Sequence, residues 1–185
     1  MAETVRGLGA HFLELVTRDL RRSKARAEKA IAQVVDDQRL HETLDAESNS
    51  IAIIVMHLSG NMLSRWTDFL TADGEKPSRN RDAEFEPRET MTRTALMAAW
   101  ETGWACLFNT LQALTPADLQ ATVRIRGETF SAMEAIVRQF DHYASHVGQI
   151  VFLAKHLEWE RWESLSVPRG QSNRPGRHTG GPGKV

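Results

Sequence analysis

A single cysteine, Cys106, stands in 185 residues, so no internal disulfide can form. That fits a reducing compartment, and the cytoplasm is the expected location. No apolar run approaches the ~20 residues that a membrane-spanning helix needs. The first residues carry charge at Glu3 and Arg6 in place of an apolar stretch, so neither membrane insertion nor a secretory signal is expected. The net charge is only −1, which leaves no global field to draw nucleic acid or an anionic surface. The basic run Arg18, Arg21, Arg22, Lys24, Arg26 and Lys29 lacks interleaved aromatics and reads as a solvated helix face. Strand-like alternation is almost missing. It occurs once, at 121–130, where Val123 and Ile125 alternate with Arg124 and Arg126 before Gly127 breaks the run. One short strand cannot build a sheet, so this is a local extended segment or a small hairpin. No internal repeat is present.

What the chain does have is helical period. Apolar residues return at helical spacing in four runs, near 8–35, 50–71, 92–114 and 131–160, which predicts an all-α domain. Ser48, Asn49 and Ser50 offer N-caps for the second run, and Ser131 with Glu134 forms a capping box for the fourth. Trp100 and Trp104 sit on the apolar stripe of the third and read as core, and Cys106 beside them reads as structural. The connection 71–89 has no period and is dense in charge. Extended, it could reach roughly 60 Å, against about 30 Å for the preceding helix. It can therefore return the chain along the whole bundle and make helices two and three parallel. The fourth run has two apolar stripes, one with Ala135, Ile150 and Leu153, the other with Ile136, Phe140, Val147, Val151 and Ala154. An arc that wide suggests a self-association surface, the alternative being a central helix in a monomer. The folded domain is expected to span 1–165, with 166–185 a flexible tail rich in Gly, Pro and Arg.

The fourth run also holds the chemistry. His142 and His146 lie four residues apart, one turn along the same helix face. Leu153 and Leu157 continue that face, so it should point inward. Two inward imidazoles at one height can chelate a metal, and a catalytic site needs a third protein ligand and an open position. His57 is the best third candidate. It lies on a polar strip of the second helix with Asn61, Ser64 and Asp68, which lines either a pocket or the solvent. His11 and His41 have no spaced partner. Position 143 is Tyr, so the glutamate of the H-E-x-x-H metalloprotease motif is missing. Three neutral imidazoles suit a divalent transition metal, zinc or nickel first, then iron, manganese or copper. Asn61 and Gln149 could hold a water there, and Asp68, Glu101 and Asp141 are candidate outer acceptors for the imidazoles.

Three segments carry a resemblance: 49–86, which begins NSIAIIVMHLSGNMLSRW; 140–157, FDHYASHVGQIVFLAKHL; and 162–173, WESLSVPRGQSN. Together they resemble the DinB/YfiT-like superfamily of four-helix metal-binding proteins, and one subfamily without an agreed activity. The resemblance implies an up-down-down-up four-helix bundle with a long crossover between helices two and three. It implies a three-histidine metal site at His57, His142 and His146, and commonly a homodimer. Characterised relatives are bacterial thiol-cofactor-dependent transferases or isomerases. Ser78 departs from the pattern, which has an aromatic in the loop there. The expected function is a metal-dependent enzyme transferring a low-molecular-weight thiol, with a non-catalytic dimeric metal- or small-molecule-binding protein as the competing reading.

Overall fold

The computed structural model describes residues 2–87 and 90–172, with the side chains of 2–6 left undescribed. The expected tail falls partly outside these residues. Four helices carry the fold: α1 (Ala2–Ile31), α2 (Ile51–Trp66), α3 (Arg93–Ala113) and α4 (Ala132–Leu157). The helical expectation holds, and of the two forms expected at 121–130 the hairpin is the one present. The alternating stretch forms a two-stranded antiparallel hairpin, β1 (Thr122–Ile125) and β2 (Glu128–Ser131). Its turn residues Arg126 and Gly127 have φ of 56° and 79°, the left-handed pair that a tight hairpin turn requires. Among the described residues no helix is long and apolar enough to cross a membrane.

The caps explain most helix boundaries. Ser50 Oγ accepts from Ile53 N at 3.2 Å and starts α2, and Ser131 and Glu134 close the capping box of α4. α1 stops at Ile31, four residues short of the expected end, where Arg93 donates to the carbonyls of Ile31 and Val34. α2 stops at Trp66, earlier than expected, where Thr67 turns extended (φ −67°, ψ 127°), followed by a left-handed Asp68 at φ 50°.

Contacts between α2 and α3 advance together. Ser59 Oγ donates to Ala99 O at 2.7 Å, and about two turns further along α2 and three along α3 Thr110 Oγ1 donates to Trp66 O at 2.9 Å. The two helices therefore run parallel, and Gly103 allows the approach, since a Cβ there would stand 3.0 Å from Ser59 Cα. The core between the helices holds Trp66, Trp100, Trp104 and Tyr143, all essentially fully buried. Most of the wide arc of α4 is buried within the one chain: Ala135, Ile136, Val147, Ile150 and Ala154 pack into this core. The described part of the connection, 71–87, is held in place. Gly74 N donates to Arg124 O at 2.8 Å, and Asp73 accepts from Arg126 N and Gly127 N at 2.9 and 2.8 Å. The loop is thereby tied to the hairpin and laid across α2.

Candidate metal centre

α2 and α4 bring His57, His142 and His146 together, with candidate ligand atoms all within 4.8 Å of one another. His57 is 3% exposed, and the other two are partly buried at the mouth of a cleft. The polar strip of α2 is thus internal for its first three members. His57, Asn61 and Ser64 are buried, while Asp68 is exposed.

The outer hydrogen bonds fix which nitrogens face the cluster. His57 Nδ1 lies 2.9 Å from Glu84 Oε2, and a carboxylate only accepts, so the proton sits on Nδ1 and Nε2 presents a lone pair. His146 Nδ1 likewise donates to Gln149 Oε1 at 2.8 Å, leaving its Nε2 bare. His57 Nε2 and His142 Nε2 are 3.2 Å apart. Two imidazole nitrogens bound to one tetrahedral zinc would be roughly 3.3–3.4 Å apart, given Zn–N of ~2.0–2.1 Å. The three-imidazole donor set, the His57–His142 spacing and the tautomers of His57 and His146 therefore fit a divalent transition metal. His142 Nδ1 is buried without a protein partner.

Burial and neighbouring charge favour the neutral form of His142 and His146. Burial, then the neighbouring His146 and His57, then Arg65 and Arg79, pull His142 down to about 3. Burial also lowers His146, against the Gln149 bond. Neutral imidazole is the ligating form. Burial pushes Glu84 upward, but the Arg79 guanidinium and the His57 bond outweigh it and hold the carboxyl below its usual range. Arg79 clamps Glu84 with two bonds of 2.7 Å, one to each oxygen. The loop thus supplies a buried Arg79–Glu84–His57 chain, the outer support that fixes a metal-binding imidazole.

The expected outer acceptors are corrected accordingly. Asp68 lies beyond the end of α2, Glu101 on α3 accepts from Lys24 at 2.7 Å, and Asp141 is exposed on α4. None bonds to a histidine of the cluster. Their role falls to Glu84 and Gln149. Asn61, expected to hold a water, accepts from Tyr143 OH at 2.9 Å, and that hydroxyl accepts from Trp66 Nε1 at 2.9 Å. Tyr143 therefore points into the core, away from any general-base position. His41 accepts no place in the cluster and bonds to Met91 O at 3.0 Å. Ser78 is exposed, and the aromatic ring that the loop brings to the site is Phe85, 4.6 Å from the His57 ring.

The cleft in front of the histidines holds about 340 Å³. Asn61 and Arg65 of α2, Arg79, Arg81 and Phe85 of the loop, Arg126 of the hairpin turn and Arg138 and Gln139 of α4 form its walls. Larger surface hollows elsewhere bring no such cluster together.

The family described as "Protein of unknown function (DUF1572)" matches residues 7–171. Among curated proteins and solved structures, nothing matches the chain significantly.

Proposed function

The chain belongs to the DUF1572 family, whose function is unknown, and we propose from the site itself that it is a divalent-metal-dependent enzyme acting on a small molecule, of the low-molecular-weight-thiol transferase kind. The observation that carries this reading is the pair of fixed tautomers, which aims the bare Nε2 atoms of His57 and His146 at His142. Bonds of that kind are what metal-binding histidines require of their surroundings. A bound divalent cation would supply Lewis acidity, enough to keep a thiol as its thiolate near neutral pH.

We also read the fold as the up-down-down-up bundle of the DinB/YfiT-like proteins. The parallel α2 and α3 support it. So does the meeting of Val35 N with Glu158 just past the end of α4, at 3.2 Å, while Gly9 near the start of α1 lies against Pro116 and Leu119, ahead of the hairpin that leads into α4.

The chain's own groups divide the work. His57, His142 and His146 hold the ion, and Glu84 and Gln149 set two of the rings. Phe85 shields the His57 ring on the loop side. Transfer would form one sulfur–carbon bond while the leaving group departs with its electron pair. The thiol proton passes to solvent, since Glu75 and Glu84, the carboxylates bonded to the cleft arginines, are held as acceptors. That lack of a free base favours one second reading, a non-catalytic metal-binding protein.

Metal analysis of purified protein, then thiol-transfer assays against electrophiles with and without chelator, separate the two. Turnover abolished by chelator and restored by metal supports the enzyme. Stoichiometric metal without turnover supports the binding protein.

A further inference from the structure

Guanidinium groups surround the three histidines in numbers that the local carboxylates do not answer. Five arginines line the cleft. Arg79 is spent on Glu84 and Glu75, with both Nε and Nη2 on the former. Arg65 bonds Gly74 O and Glu75, yet its Nε is buried without a partner, in a residue 7% exposed. Arg126 gives only its Nε to Glu75, at 3.0 Å. Arg138 has no carboxylate partner among the described residues, and Arg81 has only Asp82, 98% exposed, at 4.0 Å. Buried donors without partners carry a free-energy cost that a ligand can remove.

The two least-paired arginines are also the best oriented. Arg81 lies over the Phe85 ring at 4.8 Å and Arg138 over Phe130 at 5.4 Å. A guanidinium stacked on a ring keeps its N–H edges free, and those edges match the two oxygens of a carboxylate or phosphate. Arg81, Phe85 and His57 form one continuous stack, which carries this wall from the cleft rim to the histidine cluster. Gln139, 4% exposed, adds an Oε1 without a partner, suited to a hydroxyl or amide of the same ligand.

We propose that the cleft selects a small anionic substrate, whose carboxylate or phosphate group is gripped by Arg81, Arg126 and Arg138 with Arg65 behind them, while its reacting end faces the three histidines. This rests on the metal reading above for the identity of the reacting end. The cleft's 340 Å³ suits a metabolite-sized molecule and excludes a folded partner.

The test is isothermal titration of the full chain, zinc-loaded and zinc-free, with succinate, inorganic phosphate and the uncharged succinamide. Zinc content is measured in parallel. At least one anion binds and succinamide does not. The tighter anion identifies the group. Arg81→Gln and Arg138→Gln each weaken that anion about tenfold or more, the loss expected for a charge-assisted hydrogen bond, and leave zinc stoichiometry unchanged. Both side chains are exposed, so both variants should fold. Zinc bound at full stoichiometry, with no anion preferred over succinamide or with both variants at wild-type affinity, overturns the proposal and spares the metal reading. Anion binding lost in the variants, from a protein that takes up no zinc, upholds the anion grip and overturns the metal reading.

Discussion

Gly60 separates the loop's role at the metal from its role in folding. It lies three residues after His57 on α2, and a Cβ there would stand 2.2 Å from Glu84 Oε1 and 2.7 Å from its Cδ. Both are far inside contact distance, so Gly60→Ala must displace the carboxylate. A free glutamate would swing away at little cost. This one is bonded through Oε1 and Oε2 to Arg79 and through Oε2 to His57, and moving it breaks that chain. Freed from its acceptor, His57 is no longer held with Nε2 toward the cluster. Loss of such an outer partner costs about 10–100-fold in metal affinity, or about 1.4–2.8 kcal/mol.

The helix responds in the opposite direction. Alanine in a helix interior is favoured over glycine by about 0.5–1 kcal/mol. Without metal, the two effects should leave Gly60→Ala close to wild type in stability. With metal, it should lag behind. The assay is zinc competition against a chromogenic chelator at fixed pH, with thermal melts in excess chelator alongside. Glu84→Gln, which keeps the size and drops the charge, should lose affinity in the same range. Wild-type zinc affinity in Gly60→Ala would refute the argument that Glu84 orients His57.

His146→Ala should lose most of the bound metal, while His41→Ala, whose ring serves Met91 O, should keep it, as read by elemental analysis of the purified proteins. Tyr143→Phe strips the acceptor from Trp66 Nε1 and the donor from Asn61 in the core, and should cost about 1–3 kcal/mol in urea unfolding with no loss of metal stoichiometry. Glu158 is held below the usual carboxylate range by Arg161, against burial, and further by the Val35 N–H and Arg39. Because the folded value is the lower one, its contribution is complete above the unfolded value of about 4.3 and is lost as pH falls through the folded one. Glu158→Gln should therefore flatten the loss of stability below about pH 4.3 in acid titrations of urea stability, and an unchanged slope would remove Glu158 as its source.

The parts of this molecule that repeat were legible, and the parts that do not repeat were not. Four helices and the α4 capping box follow from period and caps, which are local. The histidine pair on α4 is equally local, since four residues make one turn. The helix ends were less legible. Arg93 closes α1 from another helix, and α2 ends where Thr67 turns extended ahead of the left-handed Asp68, so neither stop announces itself in the local period. The wide apolar arc of α4 read either as a surface for a second copy or as a central helix, and α1 and α2 cover most of it. Periodicity reports how much of a helix is apolar but not what covers it.

The outer support of His57 shows the same limit at the site. Every acceptor proposed from the sequence sat on a helix, because helices are where spacing can be read. Glu84 comes instead from a segment with no period, 27 residues away in the chain. A charged stretch that solvent alone supported would have no reason to bury Glu84 at 8% exposure, or to place Arg79 across both of its oxygens. Burying two opposite charges in a loop is costly unless both are fully bonded, and His57 supplies one of the remaining bonds. The loop and the imidazole complete each other: the histidine satisfies a buried carboxylate, and the carboxylate fixes the nitrogen that faces the cluster. Gly60 is the condition for both, since any side chain at that position would occupy the space the carboxylate needs.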